Sequence, residues 1–99
     1  MELNFKRYEG NPILKPNQQN QWENLCVLNP AVVFDKETNK FVMVYRAGGD
    51  EIKHHIRLGL ATSADGFNFV RYADNPVFDV DENDADGGCV EDPRIVYID

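Results

Sequence analysis

Apolar residues fall along this chain in short β-branched and aromatic runs separated by turn residues, and no stretch carries a capped 3.6-residue period. Val27 to Phe34 is such a run, and Asp35-Lys36-Glu37-Thr38-Asn39 after it predicts a turn. Phe41 to Arg46 (FVMVYR) predicts a second strand, broken by Gly48-Gly49-Asp50. From His55 to Ser63, Ile56, Leu58 and Leu60 alternate with Arg57, Gly59 and Ala61, which predicts a strand with one buried face. Ala64-Asp65-Gly66 predicts a hairpin turn, and Phe67, Phe69 and Arg71 mark a fourth strand. The predicted fold is all-β.

The chain also repeats itself. Cys26 to Phe34 (CVLNPAVVF) aligns without gaps on Cys89 to Tyr97 (CVEDPRIVY), 63 positions on, with Asn29 opposite Asp92. Asn11 to Leu14 (NPIL) aligns on Asn75 to Phe78 (NPVF) at an offset of 64. A period of this length with four consecutive antiparallel strands predicts the blade of a β-propeller. A β-sandwich would use similar strands but requires no repeat at this offset. The chain then holds about one four-stranded blade plus the first strand of the next. Propellers close with about four or more blades, so residues 1–99 read as the N-terminal part of a single β-propeller domain in a longer protein. A lone blade leaves strand edges and apolar residues (Val32, Phe34, Val42, Val44, Leu58, Leu60) short of cover. By itself the chain is expected to be inactive and to associate, as a homo-oligomer or against other polypeptide.

Charge narrows the partners. Seventeen acids against ten bases give a net charge of −7, which argues against nucleic acid and gives no attraction to an anionic membrane. The acids cluster: between Arg71 and Arg94 no base occurs, while Asp74, Asp79, Asp81, Glu82, Asp84, Asp86, Glu91 and Asp92 do. No apolar run is long enough to span a bilayer, and Met1 to Gly10 (MELNFKRYEG) lacks the apolar core of a secretory signal. Cys26 and Cys89 have no C-x-x-C spacing and read as two reduced thiols of a cytoplasmic protein.

The repeat also points to where chemistry would sit. First strands of successive blades line a propeller's channel, so Asn29 and Asp92 are expected at equivalent positions facing one funnel. Asp92, in Glu91-Asp92-Pro93-Arg94, is either a proton-delivering carboxyl in an acidic, partly buried neighbourhood or a turn residue bonding to backbone amides. Arg46, at the end of an apolar strand, either holds sugar hydroxyls or the acid with its planar fork of donors, or is a surface arginine. Arg94, two residues on from Asp92, is expected on the same side, where it would neutralise it. His54-His55 has no companion ligands and reads as a turn rather than a metal site. Trp22 and Tyr45 are candidates either for stacking on a sugar ring or for the core.

The order of motifs is distinctive. Trp22-Glu23, Val27-Leu28-Asn29-Pro30-Ala31, Val44-Tyr45-Arg46-Ala47, Arg57-Leu58-Gly59-Leu60-Ala61-Thr62-Ser63 with Asp65-Gly66, and Glu91-Asp92-Pro93-Arg94-Ile95 together resemble the opening of glycoside hydrolase family 130. That resemblance covers nearly the whole chain. It implies a five-bladed propeller and an inverting enzyme acting on β-mannosides, such as β-1,4-mannosyl-glucose or manno-oligosaccharides. It implies that Asp92 is the catalytic acid, protonating the glycosidic oxygen through a hydroxyl of the mannose. Inorganic phosphate, as co-substrate, would attack the anomeric carbon from the opposite face and release α-mannose 1-phosphate. Residues matching Asn29 and Arg46 contribute to the mannose pocket in this family, and neither a metal nor another cofactor is implied. The phosphate-gripping cations of the family lie beyond Asp99. The alternatives are a β-mannoside hydrolase of the same family and a non-catalytic carbohydrate-binding propeller.

Overall fold

A computed structural model describes residues 2–81, 83 and 89–98. Four strands form one antiparallel meander in the order β1-β2-β3-β4: β1 Cys26–Asp35, β2 Lys40–Gly48, β3 Ile56–Ser63 and β4 Val70–Arg71. This all-β sheet is what one blade of a propeller looks like. Glu82, Asp84 and Asp86 of the acidic stretch lie outside the described residues.

The β1–β2 turn closes because the Asp35 carboxylate accepts the Glu37 amide and the Thr38 hydroxyl, with Asn39 at φ 57°. Those bonds hold the Asp35 carboxyl below its ordinary range, the Thr38 hydroxyl contributing most. From there the ladder runs Asp35 opposite Lys40 and Phe34 opposite Phe41 up to Ala31 opposite Val44. It then slips: the register shifts between Leu28 and Ala31, where Asn29 takes φ 48° in front of Pro30. Asparagine tolerates this left-handed backbone better than most residues. Beyond the bulge Leu28 faces Arg46 and Cys26 faces Gly48.

The fourth strand is only two residues long, shorter than the Phe67–Arg71 run predicts. Asp65 accounts for the difference. Its carboxylate accepts the amides of Phe67 and Asn68 and the Asn68 side chain, so those donors are spent on a turn rather than on a ladder. The same backbone bonds hold the Asp65 carboxyl far below its ordinary range. Ser63 Oγ completes the turn, accepting from Gly66 N.

The buried face of β3 also differs from the alternation. Gly59, Ala61 and Ser63 are buried, while Leu60 is half-buried. The small residues make room for rings: a Cβ on Gly59 would collide with the Tyr45 ring and lie 2.7 Å from Trp22. Met43, Tyr45, Ala47 and Ala61 form the core, with Ile13, Leu14, Trp22, Val27 and Phe69 packed against them. Leu58, on the other face, is covered because residues 77–78 pair with it as an extra bridge. Val32 and Phe34 stay 47% and 40% exposed.

A buried carboxylate ties these layers together. Glu23 is fully buried; its Oε1 accepts from the Tyr45 hydroxyl (3.0 Å) and Arg71 Nε (2.9 Å), and its Oε2 from Asn20 Nδ2 (2.7 Å). Burial first, and Glu23 second, push the Tyr45 hydroxyl well above its ordinary range, so Tyr45 stays a hydrogen-bond donor.

The second copy of the repeat is expressed in part. Asp92 takes φ 49° before Pro93, as Asn29 does before Pro30. Asn11 N bonds to Tyr8 O and Asn75 N to Tyr72 O, so the repeat extends three residues upstream of each Asn-Pro, and both Asn-Pro bonds are cis. The first strand expected of the next blade is not formed: residues 89–98 carry no ladder, because no described segment pairs with them as β2 pairs with β1.

Candidate functional site

The bulge in β1, the end of β2 and residues 91–92 meet at one end of the sheet. β2 delivers Arg46 there: Tyr45 points into the core, so by strand alternation its neighbour points to the opposite face. Arg46 Nη1 donates to Asp92 Oδ1 at 3.0 Å, and Arg46 Nη2 lies 3.3 Å from Glu91 Oε2. The Nε–H of Arg46 is buried without a hydrogen-bond partner among the described residues. Arg46 is mostly covered, whereas the Glu91 and Asp92 side chains remain about half exposed. One residue past Leu28, which faces Arg46, stands Asn29, exposed on the bulge.

The structure therefore brings Arg46 and Asp92 into contact and puts Asn29 in the bulge, one residue past the ladder partner of Arg46. Asp92 is more open than a partly buried acid, since the surrounding cover within this chain is one-sided. Arg94 does not neutralise it. The Arg94 guanidinium donates to the carbonyls of Asp92 and Pro93 (3.3 and 3.0 Å), because the left-handed turn at Asp92 and the lack of a ladder break the two-residue alternation that would put both side chains on one face. Tyr45 and Trp22 face one another rather than the site: their rings stack 6.2 Å apart and 22° from parallel, Tyr45 in the core and Trp22 packed against it.

The two repeats run alongside each other in the same sense. Arg46, paired with Leu28, touches Asp92; at the other end Lys36, just after β1, lies 5.6 Å over the Tyr97 ring. So Asn29 and Asp92, equivalent in sequence and in φ, sit toward the same end of neighbouring segments.

A second charged group lies nearby, at the start of β3. Arg57 pairs with both Glu51 and Asp79, and residue 90 is anchored alongside through Val90 N to Ile56 O. Hydrogen bonds from Arg57 hold the Glu51 and Asp79 carboxyls below their ordinary range, and Glu51 first, then Asp79, raise Arg57 in return. With both partners engaged, Arg57 belongs to the scaffold. His54 takes φ 49° in the turn that precedes β3, bonding Gly49 O, and His55 is buried. Among the described residues no three His, Cys, Asp or Glu side chains converge to hold a metal, and no helix is long and apolar enough to cross a membrane. Cys26 is exposed and Cys89 half-buried, both free thiols.

Two residues were not singled out by sequence reasoning. Glu23 carries a signal only in its place after Trp22, and nothing in the spacing says that it meets Tyr45 and Arg71. Glu91 stands in the Asp92 motif, but its pairing with a residue 45 positions away is a product of the fold.

Residues 4–99 match the glycoside hydrolase 130 family, described as beta-1,4-mannooligosaccharide phosphorylase. The chain is 39% identical, over 98% of its length, to a 1,2-beta-oligomannan phosphorylase from Thermoanaerobacter sp. (strain X514), and 38% identical to a beta-1,2-mannobiose phosphorylase from the same organism. It spans about a third of the length of each. Among solved structures, a glycosyl hydrolase from Bacteroides ovatus superposes over 92% of this chain and 30% of its own, with a TM-score of 0.72 and 34% identity.

Proposed function

The chain belongs to glycoside hydrolase family 130, and from that premise we propose that it supplies the first blade and the opening of the second in an inverting β-mannoside phosphorylase built as a five-bladed propeller. The observation that carries the reading is the contact between Arg46 of one repeat and Asp92 of the next. In this reading Asp92 is the acid. Its proton reaches the glycosidic oxygen through a hydroxyl of the bound mannose, the anomeric C–O bond breaks, and an oxygen of phosphate forms the new bond from the opposite face. Mannoside and dihydrogen phosphate give the free alcohol and α-mannose 1-phosphate, so the proton Asp92 gives up is regained from the phosphate. A phosphate anion needs no general base, which is why one carboxylic acid suffices where an inverting hydrolase uses two. Arg46 and Asn29 hold the mannose hydroxyls, Arg46 with donors in a fixed plane and Asn29 with both a donor and an acceptor.

The experiment uses the full-length protein with β-1,2- and β-1,4-linked mannobiose, with and without phosphate. Formation of α-mannose 1-phosphate that depends on phosphate supports the reading, and the preferred mannobiose gives the linkage. Equal release of free mannose with and without phosphate makes the enzyme a hydrolase of the same family. No turnover of either sugar would leave a carbohydrate-binding propeller.

A further inference from the structure

Arg46 has its two terminal nitrogens on two different acids, Nη1 on Asp92 and Nη2 on Glu91. A guanidinium facing a single carboxylate prefers two parallel hydrogen bonds, which are shorter and stronger than one. Here Arg46 makes one hydrogen bond to Asp92, and its second arm lies 3.3 Å from Glu91 Oε2 as an ion pair instead. The third donor adds no hydrogen bond: the Nε–H is buried without a partner among the described residues. Arg94, the base nearest Asp92 in sequence, donates to the carbonyls of Asp92 and Pro93 rather than to the carboxylate. Among the described residues, Glu91 is thus the second charged group on the Arg46 guanidinium, beside Asp92.

We propose that Glu91 is a positioning residue, holding one arm of Arg46 so that the guanidinium makes a single hydrogen bond to Asp92 and leaves the second carboxyl oxygen open to carry the proton. This rests on the reading of Asp92 as the acid. Without the Glu91 charge, Arg46 is free to close on Asp92 with both arms. A carboxylate gripped by two charge-assisted bonds is stabilised as the anion and surrenders its role as a proton donor. The consequence is selective: only substrates whose leaving group must be protonated feel it.

The test compares two substrates on the full-length protein, a β-mannobiose, whose leaving alcohol needs the proton, and 4-nitrophenyl β-mannoside, whose phenolate departs without it. Glu91→Gln is expected to lower kcat on the mannobiose about tenfold with KM within about twofold, and to change the nitrophenyl rate by less than about twofold. Glu91→Asp, which keeps the charge, is expected to recover at least half of the lost rate. Equal losses on both substrates, or an unchanged mannobiose rate, would overturn the proposal. Asp92→Asn run alongside separates the two levels of the account: if it leaves mannobiose turnover intact, the acid assignment itself is wrong, whereas a dead Asp92→Asn with an indifferent Glu91→Gln removes only the role given to Glu91.

Discussion

Residues 26–34 and 89–97 share a pattern, yet the first is a laddered strand and the second is not. What they keep in common is local. Each has an Asn or Asp in the left-handed region directly before a proline, at φ 48° and 49°. What they do not share is a ladder partner. Val33 faces Val42 across the β1–β2 ladder and is half-buried, whereas its equivalent Val96 is 79% exposed. Turn geometry is therefore written in a handful of adjacent residues, while strand formation waits for a partner. The feature the two copies hold in common is the one that presents Asn29 and Asp92, so the positions proposed to bear the chemistry are the locally specified ones.

Chemistry separates the two copies most widely. In the full-length protein Asp92→Asn is expected to lower turnover of a mannobiose by about 10³-fold or more, with binding within about tenfold, because it removes the transferable proton and little of the pocket. Asn29→Ala, at the equivalent position, is expected to act mainly on KM, by about tenfold. Steady-state kinetics on both variants check this, and a reversal of the two patterns would break the assignment of roles.

Next in size is the scaffold beneath the first copy. Glu23→Ala leaves the Tyr45 hydroxyl and Arg71 without their shared acceptor in a buried place. The expected cost is about 3 kcal/mol of unfolding free energy, read by urea denaturation. A loss below about 1 kcal/mol would mean that the buried network contributes little.

The smallest expected effect bears on strand formation itself. In the 99-residue chain Val33→Ala is expected to cost about 1 kcal/mol and Val96→Ala less than about 0.5 kcal/mol. In the full-length protein, where the proposed second blade supplies a partner strand, the two costs are expected to converge. Thermal melts of both pairs check it, and a Val96 that stays silent at full length would mean that the second copy never becomes a strand.

The sequence carried β1, β2 and β3 clearly, since β-branched runs between turn residues leave few alternatives. It misjudged β4 because a single side chain, Asp65, outbids the ladder for two amides. It misjudged the covered side of β3 because bulk is a poor guide where Gly59 and Ala61 are small to admit Tyr45 and Trp22. At the site, the equivalence of Asn29 and Asp92 was legible from the repeat. The contacts that join the copies, Arg46 to Asp92 and to Glu91, were not, because they span 46 and 45 positions and depend on where the second segment lies.

That joining contact is the centre of the account, and a double-mutant cycle measures it directly. Arg46→Gln, Asp92→Asn and the double variant are made in the full-length protein, and kcat/KM on a mannobiose is compared. If Arg46 and Asp92 act as one unit across the two repeats, the double variant falls within about tenfold of Asp92→Asn alone. If the two losses multiply instead, the residues act independently, and the contact seen between the repeats has no part in catalysis.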